Sequence, residues 1–305
     1  MPELPDLTVY AERLQARLGG QVIEGVRVAS PFLVRSAAPP LQAVVGRRVL
    51  GVRRLGKQLV VALDDDLYLV VHLMIAGRFH WKPPGARLPA KVGLAAFDFA
   101  AGTLLLTEAS PKKRAALHCV RGAAALAAFD RGGLEVLDAS PEAFRARLAA
   151  ENHTLKRALT DPRLFAAIGN AYSDEILHRA RLSPVKLTRS LTPAESERLY
   201  AATRAVLQEW IDRLRAETGD GFPEQVTAFR PEMAVHGRYR QPCPTCGALI
   251  QRIRYAENEC NYCARCQTDG KLLADRALSR LLRADWPRTL DELERRRAAA
   301  ASVSG

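Results

Sequence analysis

Four cysteines in two short pairs place the strongest constraint on how the C-terminal part of this chain can fold. Cys243 and Cys246 form one C-x2-C pair, and Cys263 and Cys266 form another after a spacer of 16 residues. Each pair makes a tight turn that aims two thiolates at one ion, and the spacer is long enough for a β-hairpin. Because four thiolates leave no position for water on Zn²⁺, the spacing predicts a ribbon held by one structural zinc ion.

The sequence offers a second candidate for the fourth zinc ligand. Cys260 and Cys263 also form a C-x2-C pair, so Cys260 could replace Cys266 in the zinc site. Cys119 lies in a strand-like run and is predicted to be a buried thiol of the core. No secretory signal is recognisable after Met1, so we expect a cytoplasmic protein, where cysteines more often bind metal than form disulfides.

The charge of the chain points to an anionic partner. Lys and Arg number 45 against 33 Asp and Glu, which gives a net charge of +12 over 305 residues. DNA, RNA and an anionic membrane surface would each satisfy this charge. No apolar run is long enough to cross a bilayer, and no membrane association is expected.

The apolar pattern changes twice along the chain and indicates an α+β protein. Leu7, Ala11, Leu14 and Leu18 recur at helical spacing before a Gly-Gly stop. Short β-rich runs separated by Gly, Pro and Asp then follow to about residue 120, which favours an antiparallel β-sandwich or barrel.

Helical signals dominate the next part of the chain. Ser140 and Thr192 each stand where an N-cap is expected, ahead of a Pro and a Glu. The Arg- and Ala-rich end after Arg295 is expected to fray. We predict a catalytic β-sandwich, a helical domain, a zinc finger and a basic tail, at residues 1–125, 135–235, 236–268 and 269–305.

Three separated motifs together resemble the formamidopyrimidine-DNA glycosylase and endonuclease VIII family. They are Pro2-Glu3-Leu4-Pro5, Gly169-Asn170-Ala171-Tyr172 and the ribbon end 262–267, YCARCQ. The resemblance implies an N-terminal β-sandwich, a helix–two-turn–helix domain and a C-terminal zinc finger, in this order. It also implies a monomeric DNA repair enzyme that excises damaged bases from duplex DNA and nicks the abasic strand.

The resemblance assigns catalytic roles near the amino terminus. Removal of Met1 exposes the secondary amine of Pro2, and α-amino groups titrate near ~7.7–8.0 in the reference state. Pro2 is the expected nucleophile, which attacks the deoxyribose C1′ and forms a Schiff base. Glu3 matches the catalytic acid of the family, and Lys57 matches a hairpin lysine that holds the phosphate beside the lesion.

Further residues are expected to contact DNA. Ile75 or Met74 matches a side chain that fills the space left by a flipped base. A basic hairpin in the cysteine spacer suits a phosphate backbone or a minor groove. The remaining expected contacts are Asn170, Lys156, Lys91 and Arg254.

Two departures from the family pattern bear on substrate and product. Asn258 stands where the finger of the family usually has an arginine, so the extent of strand elimination stays open. Residues 218–231 are short for a loop that caps 8-oxoguanine, which argues against 8-oxoguanine as the main substrate. The alternative functions are a catalytically weak zinc-finger protein that binds damaged, abasic or broken DNA, and an RNA-associated zinc protein.

Overall fold

The computed structural model describes residues 1–224, 226, 230–255, 258–274, 281–282 and 285–303. The chain forms two compact units. Unit 1 contains Met1–Gly133 and Gln208–Ala228, and unit 2 contains Leu134–Leu207 and Phe229–Gly305. Within the described residues, no helix has both the length and the apolar character needed to cross a bilayer.

Unit 1 is built on two four-stranded antiparallel sheets, which confirms the predicted sandwich architecture. One sheet has the strand order β1-β6-β7-β5, and the other has the order β2-β3-β4-β8. Val61 and Leu69 of the second sheet share one core with Phe79 and Leu106 of the first. The strands are β1 (Gly25–Val28), β2 (Val49–Leu55), β3 (Gln58–Leu63), β4 (Leu67–His72), β5 (Gly77–Lys82), β6 (Gly93–Phe99), β7 (Gly102–Glu108) and β8 (Ala116–Arg121).

Helix α1 (Leu4–Leu18) attaches the amino terminus to this core. Its predicted apolar face is confirmed, because Leu7, Leu14 and Leu18 are fully buried among the sheet residues. The helix ends where Gly19 donates its N–H to the carbonyl of Gln15. Unit 1 also contains the short helix α2 (Ala123–Ala127), and Cys119 is buried in its core as predicted.

Unit 2 combines helices with a two-stranded hairpin. The predicted caps are confirmed: the Ser140 hydroxyl accepts the N–H of Ala143 at 3.2 Å, and Thr192 and Glu195 exchange two bonds of 2.9 and 3.2 Å. Helix α6 begins in unit 2 and continues into unit 1. The elements are α3 (Pro141–Ala149), α4 (Leu155–Thr160), α5 (Asn170–Arg179), α6 (Pro193–Thr218), β9 (Gln251–Tyr255), β10 (Asn258–Tyr262), α7 (Ala264–Thr268) and α8 (Leu290–Val303).

The C-terminal residues extend the core of the ribbon. Leu272 and Leu290 are buried with Ile250, Ile253 and Tyr262 in one cluster. Helix α8 continues to Val303, so the expected fraying after residue 295 is wrong. Alanine and arginine are strong helix formers, which explains why this polar, Ala-rich end stays helical.

Candidate active site and nucleic-acid interface

Pro2 and Glu3 are buried where helix α1 begins. Glu3 is 3% exposed and Asp6 is 4% exposed. The two residues form a reciprocal capping box: the N–H of Glu3 donates to Asp6 Oδ2 at 3.0 Å, and the Glu3 carboxylate accepts the N–H of Asp6. This pair of bonds fixes the direction in which the chain enters the helix.

The amino terminus lies among two carboxylates and two cations. Burial lowers the pKa of the terminal amine on Met1 and is the largest influence on it. The carboxylates of Glu3 and Asp6 raise this pKa, whereas Arg78 and Lys57 lower it. The net effect is a lowered pKa for the Met1 amine, which increases its neutral fraction.

Lys57 lies at the tip of the hairpin between β2 and β3. Leu55 pairs with Gln58, so Gly56 and Lys57 form a two-residue turn. Gly56 has a φ of +55°, which a glycine adopts without strain. The turn therefore projects Lys57 toward the amino terminus, whose pKa it lowers.

His72 and Arg78 also lie near the amino terminus, although the sequence analysis did not predict them as site residues. Burial lowers the pKa of His72, and the charges of Lys57 and the amino terminus lower it further. Its Nδ1 accepts the N–H of Met74 at 3.1 Å. His72 ends β4 and Arg78 lies in β5, and these consecutive strands belong to different sheets, so no local sequence pattern indicated that both residues lie near the amino terminus.

The loop between β4 and β5 presents an apolar side chain. Ile75 is 61% exposed, and Met74, with a φ of +52°, is half-buried. Gly77 donates its N–H to the carbonyl of Leu73 at 2.8 Å, and a Cβ at Gly77 would lie 2.3 Å from that oxygen. The turn requires glycine there and leaves Ile75 at its tip.

Lys91 is exposed between β5 and β6. Its carbonyl accepts a 3.4 Å hydrogen bond from Lys113, which belongs to a second basic loop. The buried carboxylate of Glu108 accepts the N–H groups of Arg114 at 2.9 Å and Ala115 at 3.0 Å and so fixes that loop. Among the described residues, no contact links Lys91 to the residues around the amino terminus.

Asn170 and Lys156 lie together at the start of helix α5. The Asn170 amide donates to the carbonyl of Glu259 in the hairpin at 2.9 Å. The Lys156 ammonium donates to the Asn170 carbonyl and to Asp174 Oδ1, both at 2.6 Å, and its side chain is only 14% exposed. The charge of Lys156 is therefore engaged in an ion pair with the buried Asp174.

That ion pair belongs to a network which joins helix α5 to the ribbon. Burial acts to raise the pKa of Asp174, but Lys156 and His236 outweigh it, and the pKa is lowered. Asp174 also accepts the N–H of Asn261 at 3.1 Å. The neighbouring Glu175 accepts the three backbone N–H groups of residues 234–236 at 2.7–2.9 Å.

The structure brings four thiols together as a possible metal centre. The Sγ atoms of Cys243, Cys246, Cys263 and Cys266 all lie within 4.8 Å of one another. A tetrahedral Zn–S bond of about 2.3 Å requires S–S separations of roughly 3.8 Å. The distances Cys243–Cys266 and Cys246–Cys263 are 3.9 and 3.4 Å, so the donor set fits a tetrahedral ion.

Cys260 and His178 are not among the four sulfur donors of this centre. Cys260 is outside the four-sulfur cluster, and burial followed by the charge of Asp174 raises the pKa of its thiol. His178 Nε2 lies 3.3 Å from Cys243 Sγ, and burial lowers the pKa of His178 to about 4. A neutral His178 can donate its N–H to a metal-bound thiolate.

The hairpin carries the remaining predicted contact. Arg254 is exposed on β9 and pairs in register with Glu259 of β10. The backbone of Asn258 pairs with Tyr255. The side chain of Asn258 lies outside the described part of the chain.

Comparison with known proteins identifies the family. Residues 1–168 match the formamidopyrimidine-DNA glycosylase N-terminal domain, and residues 135–219 match the H2TH domain of the same enzymes. A formamidopyrimidine-DNA glycosylase from Heliobacterium modesticaldum is 35% identical over 280 residues, which cover 88% of this chain and 100% of the relative. The enzyme of the same name from Thermus thermophilus is 36% identical over 280 residues, with the same coverage.

A solved structure agrees with the sequence comparisons. The complex between the Lactococcus lactis Fpg and DNA containing an abasic site has a TM-score of 0.77 and 26% identity, covering 88% of this chain and 100% of that one. The chain therefore belongs to the formamidopyrimidine-DNA glycosylase family.

Proposed function

We propose that this protein excises damaged bases from duplex DNA and then cleaves the abasic strand, with Pro2 as the nucleophile after removal of Met1. The observation that carries the proposal is the burial of Pro2 and Glu3 at an amino terminus on which the charges of Glu3, Asp6, Lys57 and Arg78 act. These surroundings favour a neutral amine beside a carboxyl group that can transfer a proton.

The reaction follows from the groups in unit 1. The lone pair of the Pro2 nitrogen attacks C1′, and the bond between C1′ and the damaged base breaks. Glu3 supplies a proton to the sugar ring oxygen or to the departing base. The Pro2 nitrogen then loses its proton, and the C1′–O4′ bond breaks as O4′ takes up a proton, which leaves a cationic iminium at C1′. The iminium makes the C2′ proton acidic, and loss of this proton breaks the C3′–O bond and releases the downstream strand with its 5′ phosphate. Water then hydrolyses the imine and frees the amine.

Cations and an apolar side chain prepare the substrate for this step. Lys57 is positioned to hold the phosphate beside the lesion, and His72 is a second candidate for that contact. Flipping a nucleotide costs a few kcal/mol and least at damaged pairs, which favours lesions. Ile75, the more exposed of the two predicted wedge residues, fills the vacated space with Met74 behind it.

Unit 2 supplies DNA affinity and a metal-stabilised finger. We assign phosphate contacts to the N-terminus of helix α5 at Asn170 and to Arg254 on the hairpin. Cys243, Cys246, Cys263 and Cys266 would hold one zinc ion. Four thiolates would leave no coordination position for a reacting water, so a bound ion would stabilise the fold.

The proposed substrates are lesions that need little capping, such as an oxidised pyrimidine or an abasic site. 8-Oxoguanine is not expected to be the main substrate, since residues 218–231 offer only a short segment for a capping loop. The Lactococcus relative was solved with DNA containing an abasic site, which supports abasic DNA as a ligand.

Borohydride trapping on a duplex with one abasic site tests the nucleophile. Reduction should fix the imine as a covalent adduct, and peptide mapping should place this adduct on the nitrogen of Pro2. Lys57→Ala is the control. It removes a lysine amine from the site, and the adduct should still form. An adduct on a lysine, or undiminished trapping in protein that retains Met1, would overturn the assignment.

Retained affinity for abasic DNA without any trapping would instead favour the catalytically weak DNA-binding alternative. Competition with RNA of the same sequence tests the third possibility, an RNA-associated protein. Preference for RNA over the duplex would exclude the proposed function.

A further inference from the structure

The last part of the chain folds onto the zinc ribbon and lies beyond the two family-model matches, which end at residue 219. Leu272 donates its N–H to the carbonyl of Arg288 at 2.9 Å, and Leu290 donates to Gly270 at 2.8 Å. Residues 269–274 and 285–293 therefore form an addition to the core of the ribbon.

A cavity of about 880 Å³ is formed by the ribbon and this addition. Its walls combine aromatic and basic side chains: Tyr239, Arg240, Arg252, Arg254, Trp286 and Arg296. The volume lies in the range of about 300–1,000 Å³ that small ligands occupy. This volume is sufficient for one nucleotide.

The charge of the cavity favours an anion. Among its described lining residues, four are arginines and Asp285 is the only acidic residue. Arg252 is partly neutralised, because it lies 3.4 Å from Glu259 and its guanidinium is 4.2 Å from the Tyr239 ring centroid. Arg296 is exposed and forms a 2.8 Å bond with Glu292. Arginine forms planar, paired hydrogen bonds with phosphate, so these side chains suit a phosphodiester.

Trp286 offers a surface for a planar ring. It is half-buried, and within the described residues it makes no aromatic-ring or cation–π contact of its own. Tyr239, in contrast, is already stacked by Arg252. Aromatic side chains next to arginines are the combination by which proteins hold unpaired bases of single strands.

We propose that this cavity binds one nucleotide of single-stranded DNA, with the base on Trp286 and the phosphate on Arg296 and Arg254. A paired base in a duplex does not expose its face, so the site selects unpaired DNA. The site shares Arg254 with the proposed duplex contacts and uses none of the residues assigned to the chemical step, Pro2, Glu3 and Lys57. It gives this protein a second contact for DNA that is open or broken.

Two neighbouring arginines on helix α8 provide a matched test. Arg296 lines the cavity, whereas Arg295 is also exposed but does not line it. Binding of a short fluorescent thymidine oligonucleotide at fixed salt should weaken at least about fivefold in Arg296→Ala and in Trp286→Ala. Arg295→Ala removes the same charge and should leave the affinity within about twofold of the wild type.

A spectroscopic readout separates stacking from general electrostatic attraction. Tryptophan emission should decrease when the unlabelled oligonucleotide binds, and Trp286→Phe should abolish this decrease. Equal losses in Arg295→Ala and Arg296→Ala, or unchanged quenching in Trp286→Phe, would overturn the proposal. Tighter binding of the matching uridine ribonucleotide than of thymidine DNA would overturn it as well.

Borohydride trapping on an abasic duplex keeps this test separate from the catalytic proposal. Arg296→Ala should give the wild-type yield of adduct at saturating protein. Loss of oligonucleotide binding with normal trapping in Arg296→Ala supports the second site. Absence of trapping in the wild type and in all variants would argue only against Pro2 as the nucleophile.

Discussion

The backbone N–H of Glu3 donates a 3.0 Å hydrogen bond to Oδ2 of Asp6, and the carboxylate of Glu3 accepts the N–H of Asp6 in return. This reciprocal pair links the proposed proton donor to the first turn of helix α1. The short carboxylate of Asp6 is long enough to form this bond.

Asp6→Ala removes one half of the capping box. Loss of an N-terminal cap costs about 1 kcal/mol, and we expect this decrease in the free energy of unfolding by urea denaturation. The rate of base excision should also fall, because Glu3 loses its support. Glu24→Ala is the control, since Glu24 is exposed outside the helix. Wild-type stability and excision in Asp6→Ala would contradict the positioning role.

Glu3→Gln separates the two halves of the reaction. Base excision should fall at least about 100-fold, the lower range for loss of general acid catalysis. Cleavage of a preformed abasic site should be retained, because there the base has already left. Single-turnover assays on a lesion duplex and an abasic duplex measure both steps, with Glu24→Gln as the control. Equal losses on the two substrates would exclude Glu3 as the acid for base departure.

Lys57→Ala should weaken duplex binding and reduce its salt dependence. Each neutralised phosphate contributes about 0.9 to the slope of log K against log salt, so the slope should fall by about one. Lys271→Ala, an exposed lysine of unit 2, is the charge-matched comparison. If the two variants have the same slope, Lys57 makes no particular phosphate contact.

Two cysteine variants test which thiols bind the metal. Purified protein should contain one zinc per chain, and Cys263→Ala should lose most of it. Cys260→Ala should retain the metal, because Cys260 is outside the four-sulfur cluster. Elemental analysis after dialysis against a weak chelator measures the stoichiometry. Loss of zinc in Cys260→Ala with full retention in Cys266→Ala would identify Cys260 as the fourth ligand.

His72 should remain neutral below the pH at which an ordinary histidine becomes protonated. Its pKa is lowered from 6.5 by burial, Lys57 and the amino terminus. The unfolded chain therefore takes up a proton first, and the stabilising contribution is present above pH 6.5 and is lost as the pH falls through the folded-state value. An NMR titration, with the resonance assigned from His72→Gln, should give a midpoint below 6.5. A midpoint above that value would refute the predicted shift.

The sequence by itself determined the features that depend on neighbouring residues. The cysteine spacing, the Ser140 and Thr192 caps and the helical spacing from Leu7 to Leu18 all predicted local structure that is present. Metal-binding turns, caps and amphipathic faces are each specified within a few residues, so their patterns can be read before the fold is known.

Tertiary structure alone decided which distant groups meet. Lys156 resembled a DNA-binding lysine, but packing pairs it with the buried Asp174, 18 residues away. The electrostatic influence of His72 and Lys57 on each other arises because two separate strand ends lie side by side. The cavity at Trp286 exists because the C-terminal addition packs on the ribbon. Burial and pairing of this kind depend on the three-dimensional path of the chain, which sequence spacing does not encode.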